Sequence, residues 1–295
     1  MSALRRRVRA AMAAVAAGIV LAAPAHAETD DGAAAPGGAN DWACVPSERH
    51  PEPVVLVHGT WGNQRSWDTL APQLKRAGAC VFSLNYGRKL FSLRGSEPGV
   101  YGTADMRTSA RELAAFVDRV RAATGAARVD IVAHSQGGPL TRQYLRFEGG
   151  MQPKPEVRHL VSIAATNHGT TADGLGALLP TGSAAAAADI AIAKVLGTAA
   201  VQQLAGSEFL RRLNAAGDTE PGIAYTAIAT RVDRVVTPPE ATFLHPGPGA
   251  TVTNLWVQDL CPTDTFHHGI LPDSPAVAHL VHAALGLPHT GPRCA

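Results

Sequence analysis

Ser135 stands inside Val129-Asp130-Ile131-Val132-Ala133-His134-Ser135-Gln136-Gly137-Gly138. The run reads as a buried strand, a sharp turn and the first residues of a helix. A serine at the apex of such a turn holds its Oγ clear of the backbone, where it can attack a carbonyl carbon. Small neighbours let the helix pass close to the strand. The pattern is Ala-x-Ser-x-Gly, with Ala133 where glycine would give more backbone freedom.

A serine nucleophile needs an imidazole to take its proton and an acid to orient the imidazole. In strand–elbow–helix scaffolds the chain order is Ser, acid, His. Asp233 lies in Ala229-Thr230-Arg231-Val232-Asp233-Arg234-Val235-Val236-Thr237-Pro238, a turn after an apolar strand. The histidines follow in Thr263-Asp264-Thr265-Phe266-His267-His268-Gly269-Ile270-Leu271. Adjacent loop residues cannot both aim at one serine, so the residues alone leave His267 and His268 open. Asp173 and Asp264 are rival acids, and Asp264 is too near the histidines in sequence. Asp130 lies inside a strand and reads as structural. His134 flanks the nucleophile but points away from it by strand alternation. His279 and His282 fall on the last helix and read as surface or structural residues.

Acyl transfer also needs amide N–H groups aimed at the developing oxyanion. One comes from the residue after the nucleophile, Gln136. The other is expected from the turn Val57-His58-Gly59-Thr60-Trp61-Gly62, with Thr60 the candidate and its hydroxyl a further donor. The reaction calls for no cofactor, and no carboxylate cluster suggests a metal.

These groups must be held by a scaffold. Near-continuous apolar runs predict strands over 54–58, 80–85, 129–133, 159–164, 224–229 and 252–257. Such runs suit a parallel sheet covered on both faces. Helices are expected over 66–77, 105–123, after the elbow, and over 274–285. In the second, Met106, Ala110, Leu113, Val117 and Val120 fall at helical spacing and Gly125 ends the run. Pro139 suits the first turn of the helix after the elbow. The fold class is α/β: about six mostly parallel strands, helices on both faces, doubly wound in three layers. Residues 174–217 break the alternation. They are rich in Ala and Leu and read as a helical cap over the serine, with ordinary packing on the sheet as the alternative.

The N-terminus has Arg5, Arg6, Arg7 and Arg9, an apolar run over 10–23, and Ala25-His26-Ala27. This is the pattern of a secretory signal over 1–27, with the mature chain starting near Glu28 and the paired arginines allowing a twin-arginine route. An Ala/Gly/Pro-rich leader is expected over 28–41, and the folded domain over 42–295. An even cysteine count in a secreted chain suggests two bridges. Cys44 precedes one strand and Cys80 opens the next. Parallel neighbours bring those ends together, so Cys44–Cys80 and Cys261–Cys294 are the favoured pairs. No C-x-x-C pair supports zinc. A formal net charge of +2, partly from the N-terminal arginines, excludes nucleic acid as an expected partner. No run of apolar residues in the expected mature chain is long enough to span a membrane.

Four segments together resemble the secreted class 2 triacylglycerol lipases of actinobacteria, within the α/β-hydrolase superfamily. They are Val54-Val55-Leu56-Val57-His58-Gly59-Thr60, Ala133-His134-Ser135-Gln136-Gly137-Gly138, Asn167-His168-Gly169-Thr170-Thr171 and His267-His268-Gly269-Ile270. The resemblance spans roughly 42–287. It implies an α/β-hydrolase lacking the first two strands of the full fold, a nucleophile at Ser135, an acid at Asp233 and a catalytic centre without metal. The family's catalytic histidine is followed by one residue, then Gly and an aliphatic residue, which implies His267. The activity implied is cleavage of acylglycerols through an acyl-enzyme, with a lipid or ester substrate, a lipid–water interface as the working site, and a monomer. A cutin or polyester hydrolase, a short-chain esterase and an acyltransferase share the same triad. A binding protein on an inactive scaffold is disfavoured, because every catalytic position holds a competent residue.

Overall fold

The structure is a computed structural model that describes residues 35–152, 154–171 and 183–294. The signal segment, the first half of the leader, Asp173 and the start of the cap segment lie outside these residues. Six strands form one sheet: β1 (Val54–Val57), β2 (Val81–Ser83), β3 (Val129–His134), β4 (Val157–Ile163), β5 (Ala224–Ala229) and β6 (Thr251–Trp256). Their order is β2-β1-β3-β4-β5-β6 and every pairing is parallel. The chain leaves β1 toward β2 and returns past it to β3, so the winding reverses between β1 and β3. In open α/β sheets, sites form outside the carboxyl ends of the strands at such a reversal. Ser135 and Thr60 follow those two strands.

Strand alternation sorts the core into two layers. Val55, Val57, Ile131 and Tyr225 pack against α2 (Met106–Thr124), α3 (Gly137–Phe147) and α6 (Glu208–Asn214). Val54, Leu56, Val161 and Ile228 pack against α1 (Leu70–Arg76) and α8 (Pro275–Leu285). Consecutive residues thus bury opposite faces, which is why the strands read as unbroken apolar runs. The Asp105 side chain caps α2 by accepting from the Arg107 N–H at 2.8 Å, and Gly125 ends it with φ +70°. Strand β6 is the exception in burial. It is paired on one side only and its residues are intermediate or exposed.

The expected cap divides. In α6, Phe209, Leu210 and Leu213 are buried in the layer with α2 and α3, so this part is ordinary packing on the sheet. The preceding α4 (Ser183–Leu196) and α5 (Thr198–Gln202) lie near the loop after β1. Trp61 Nε1 donates to the Leu196 carbonyl at 2.8 Å, and the Leu93 N–H donates to the Lys194 carbonyl at 2.9 Å. Ile190 and Val195 remain half exposed on α4. At the N-terminal side, packing begins before residue 42. Asn40 Nδ2 donates to the Ser83 carbonyl, and the Ser83 N–H donates to Asn40 Oδ1, so Asn40 covers the β2 edge.

Cys44 is bonded to Cys80 and Cys261 to Cys294, with Cα separations of 5.8 and 5.6 Å. The first bridge ties the N-terminal segment to the start of β2, and the second ties the C-terminus to the loop after β6. Thiol titration under denaturing, non-reducing conditions will read near zero. Reduction will lower Tm, since a native bridge typically contributes about 2–5 kcal/mol. Peptide mapping that joined Cys44 to Cys261 or Cys294 would refute the pairing.

Candidate active site

The elbow is built from a close strand–helix approach. Ser135 has φ +53°, the left-handed region that a non-glycine residue enters at a cost. Its N–H donates to the Ile163 carbonyl at 2.9 Å, at the end of β4. A Cβ on Gly137 would come 2.6 Å from the Val57 carbonyl oxygen and 3.2 Å from the Ala133 Cβ. Ala133 therefore fits as the flank only because residue 137 is glycine. A Cβ on Gly59 would lie 2.9 Å from the Ser135 Cβ, so the turn after β1 also needs a bare backbone beside the serine.

His268, not His267, faces the serine. His268 Nε2 lies 2.9 Å from Ser135 Oγ, and His268 Nδ1 lies 2.9 Å from Asp233 Oδ2. Asp233 is buried, and its Oδ1 accepts from the N–H groups of Val235 and Val236 at 2.8 and 2.9 Å. His267 is exposed and extended, with φ −83° and ψ 173°, immediately before the 3₁₀ turn His268–Asp273. The reason lies in the turn. Residues three apart share one face of a 3₁₀ turn. Leu271 is fully buried, so His268 turns inward with it, while Ile270 is 42% exposed. The sequence could not choose, because Ile270 stands three residues after His267 just as Leu271 does after His268. The Gly269-Ile270 spacing that implied His267 carries no information about which side chain is buried.

His134 turns its ring to the histidine turn. Its Nε2 lies 2.9 Å from the His268 carbonyl oxygen. Burial, and the neighbouring His268, lower its pKa to about 3, so the ring is neutral and its Nε2–H donates. Strand β3 thereby clamps the backbone of the histidine turn that returns to it. Asp264 anchors the same loop, accepting from the Phe266 N–H at 3.0 Å and from the Ser274 hydroxyl at 2.6 Å. Asp130 lies at the opposite end of β3 and is paired with Arg158. Burial pushes its carboxyl up to about 6 against the pull of that guanidinium. His282 is structural: it is buried, with Nδ1 2.8 Å from the Pro288 carbonyl oxygen.

Thr60 and Gln136 are brought to the same wall. Gln136 immediately precedes α3, whose amino end carries positive dipole. Gln136 Oε1 accepts from the Tyr86 hydroxyl at 3.1 Å, and that hydroxyl also reaches the His58 carbonyl at 2.6 Å. A Cβ on Gly102 would meet Gln136 Oε1 at 2.7 Å and the Thr60 Cα at 3.2 Å, so the two residues share one contact point. Burial lowers the His58 pKa to about 4. The neutral ring stacks on Tyr86 at 4.2 Å and directs Nδ1 to the Gly59 carbonyl at 2.8 Å.

Among the described residues, His168, Asp218 and His245 bring three ligand-type atoms within 4.8 Å of one another. Asp218 is already engaged. Its carboxylate meets His168 and His245 at 3.0 Å each, and the Arg142 guanidinium lies 3.5 Å away. Burial opposes ionisation of Asp218, but the His168 hydrogen bond and the Arg142 charge outweigh it and hold the carboxyl well below its usual range. The guanidinium occupies the electrostatic place of a cation, so the group reads as an ion-pair clamp between loops.

The arrangement as a whole supplies a strained serine at a turn apex, an imidazole hydrogen-bonded to it, and a buried carboxylate behind the imidazole. That is chemistry for acyl transfer without a metal.

A sequence model of the family described as Lipase (class 2) matches residues 51–244. The chain is 35% identical over 99 residues to a triacylglycerol lipase of Pseudarthrobacter phenanthrenivorans, covering 32% of this chain and 27% of that one. It is 31% identical over 141 residues to a triacylglycerol lipase of Vibrio cholerae, covering 44% and 38%. The chain thus aligns with well under half the length of these relatives. Among solved structures it is similar to Aspergillus fumigatus lipase B, with TM-score 0.63 and 20% identity, covering 88% of this chain and 56% of that one. It is also similar to the mature form of a Bacillus licheniformis lipase, with TM-score 0.56 and 18% identity, covering 83% and 96%. At these identities the structural likeness concerns the fold.

Proposed function

This chain belongs to the class 2 lipase family, and we propose that it is a secreted serine carboxylic-ester hydrolase, a lipase that cleaves acylglycerols through an acyl-enzyme. The observation that carries the reading is His268 standing 2.9 Å from both Ser135 Oγ and Asp233 Oδ2. Ser135 Oγ attacks the ester carbonyl as His268 Nε2 takes its proton. Asp233 holds the Nδ1–H tautomer and stabilises the imidazolium. The N–H groups of Thr60 and Gln136 receive the oxyanion. His268 returns the proton to the leaving alcohol, and water, activated by the same imidazole, releases the acid.

Export is supported by the N-terminal pattern and by two disulfides in the domain. N-terminal sequencing of the secreted protein is the check, with cleavage after Ala27. A lipid-facing rim is supported by exposed apolar side chains near the end of α4: Trp61, Leu90, Phe91, Leu93, Ile190 and Val195. Phe91 is 95% exposed. Large apolar patches on soluble proteins usually mark a contact surface. Leu90, Phe91 and Leu93 come from a loop outside the 174–217 segment where the sequence placed the apolar cover.

The test is a rate series across p-nitrophenyl esters with an emulsified triglyceride alongside. Each buried methylene is worth roughly 0.8 kcal/mol, so kcat/KM rises about fourfold per methylene until the pocket is full. The triglyceride is expected to turn over. A profile peaking at acetate with no triglyceride turnover would reduce the function to a short-chain esterase.

A further inference from the structure

Gln203 is buried just past the end of α5, in the stretch the sequence assigned to a cap, and it reaches both loops that flank the nucleophile. Its Nε2 donates to Thr60 Oγ1 at 2.8 Å and to the Ala199 carbonyl at 3.0 Å. Its Oε1 accepts from the Thr166 hydroxyl at 3.0 Å. The amide orientation is forced, because a carbonyl oxygen can only accept and Ala199 therefore demands the NH₂ side. The backbone is held as well. The Gln203 N–H donates to the Ala199 carbonyl at 3.2 Å, and the Gln203 carbonyl accepts from the Thr170 N–H at 3.0 Å. Thr166, at the other end of the bridge, directs its N–H to the Ser135 carbonyl at 3.4 Å.

This geometry makes the Thr60 hydroxyl oxygen an acceptor from Gln203. A threonine hydroxyl has one proton. With Gln203 donating to its oxygen, Thr60 cannot use that proton toward Gln203, and the proton is left for a different acceptor. We propose that Gln203 is a positioning residue: it holds the Thr60 hydroxyl as a donor to the oxyanion, beside the N–H groups of Thr60 and Gln136. The proposal rests on the serine-hydrolase reading above. A hydroxyl fixed before the reaction costs no reorganisation when charge develops on the substrate oxygen, and this is where a donor contributes most. The same contact joins the loops after β1 and β4 across the serine, so Gln203 links the oxyanion wall to the elbow.

The experiment measures kcat and KM for p-nitrophenyl butyrate, per active site titrated with a fluorophosphonate, in wild type, Gln203→Met, Gln203→Glu, Thr60→Val and the Gln203→Met/Thr60→Val double variant. Thr60→Val keeps the side-chain shape and removes the hydroxyl. Removing one oxyanion donor typically costs about 10²–10³ in kcat, and a misdirected hydroxyl forfeits that donor in whole or in part. Gln203→Met is expected to lose kcat on that scale with KM unchanged. Gln203→Glu loses at least as much, because a carboxylate accepts the Thr60 proton and turns the hydroxyl away. The double variant is expected to match Thr60→Val alone, since without the hydroxyl there is nothing to position. Wild-type kcat per titrated site in either Gln203 variant overturns the proposal. So does a double variant whose losses multiply, which marks Gln203 as a structural residue independent of Thr60. Should Gln203→Met fail to fold, Gln203→Glu keeps the side-chain size and the acceptor for Thr166 and decides the matter. Absence of ester turnover in the wild type would remove the hydrolase reading itself, a result separate from loss in the variants alone.

Discussion

Ser135→Ala is expected to fold like the wild type and to turn over esters on the order of 10⁶-fold more slowly, the scale seen when a triad serine is removed from a serine protease. The fold is spared because the change deletes one atom at a buried apex and keeps the backbone. The neighbouring supports do not use that atom: the Ser135 N–H to the Ile163 carbonyl and the close approach of Gly137 to Val57. What is lost is the nucleophile, and with it the acyl-enzyme. Residual catalysis of about 10³–10⁴ over water remains from the oxyanion donors and binding. Steady-state rates with Tm measured alongside provide the check, and fluorophosphonate labelling should vanish. A folded Ser135→Ala variant with wild-type turnover would end the assignment.

The second large effect separates adjacent histidines. His268→Ala is expected to lose about as much as Ser135→Ala, because nucleophile and base act as one unit and their losses do not add. His267→Ala is expected to retain most of the wild-type rate. Its side chain is exposed, and its backbone is extended ahead of the turn that carries His268 inward. Comparing kcat for the two variants under one set of conditions is sufficient. Should His267→Ala abolish turnover while His268→Ala keeps it, the base and the direction of the turn would both be wrongly placed.

The neutral histidines around this site fit the same scheme. His134 and His58 are both buried with depressed pKa values, and each directs a ring nitrogen to a backbone carbonyl, at His268 and Gly59. These two carbonyls belong to the turns that carry the base and the oxyanion wall. The imidazoles serve there as rigid donors, and His268 is the ring hydrogen-bonded to the serine.

Several features were legible in the chain itself because they are local. The elbow is a run of contiguous residues, and the need for small side chains around Ser135 follows from a strand and helix meeting there. Strand alternation with both faces covered leaves an unbroken apolar signature in β1 to β5, and all six strands were recognisable to within a few residues. The order Ser, acid, His pointed to Asp233, whose carboxylate the structure brings to His268. The Cys44–Cys80 pair followed from predicted strand ends that must be neighbours in a parallel sheet, which left Cys261 for Cys294. What tertiary structure decided is side-chain direction in segments without a regular period. Which of two adjacent histidines faces the serine depends on Leu271 being drawn into the core and on His134 holding the turn from β3. The apolar stretch over 174–217 could not be divided by composition, since a helix buried against α3 and a helix at the rim of the site use the same aliphatic residues. The bond from Gln203 to Thr60 joins positions 143 residues apart in sequence. No local pattern specifies such a pair; it exists because packing of α5 against α2 and α6 brings one amide to one hydroxyl.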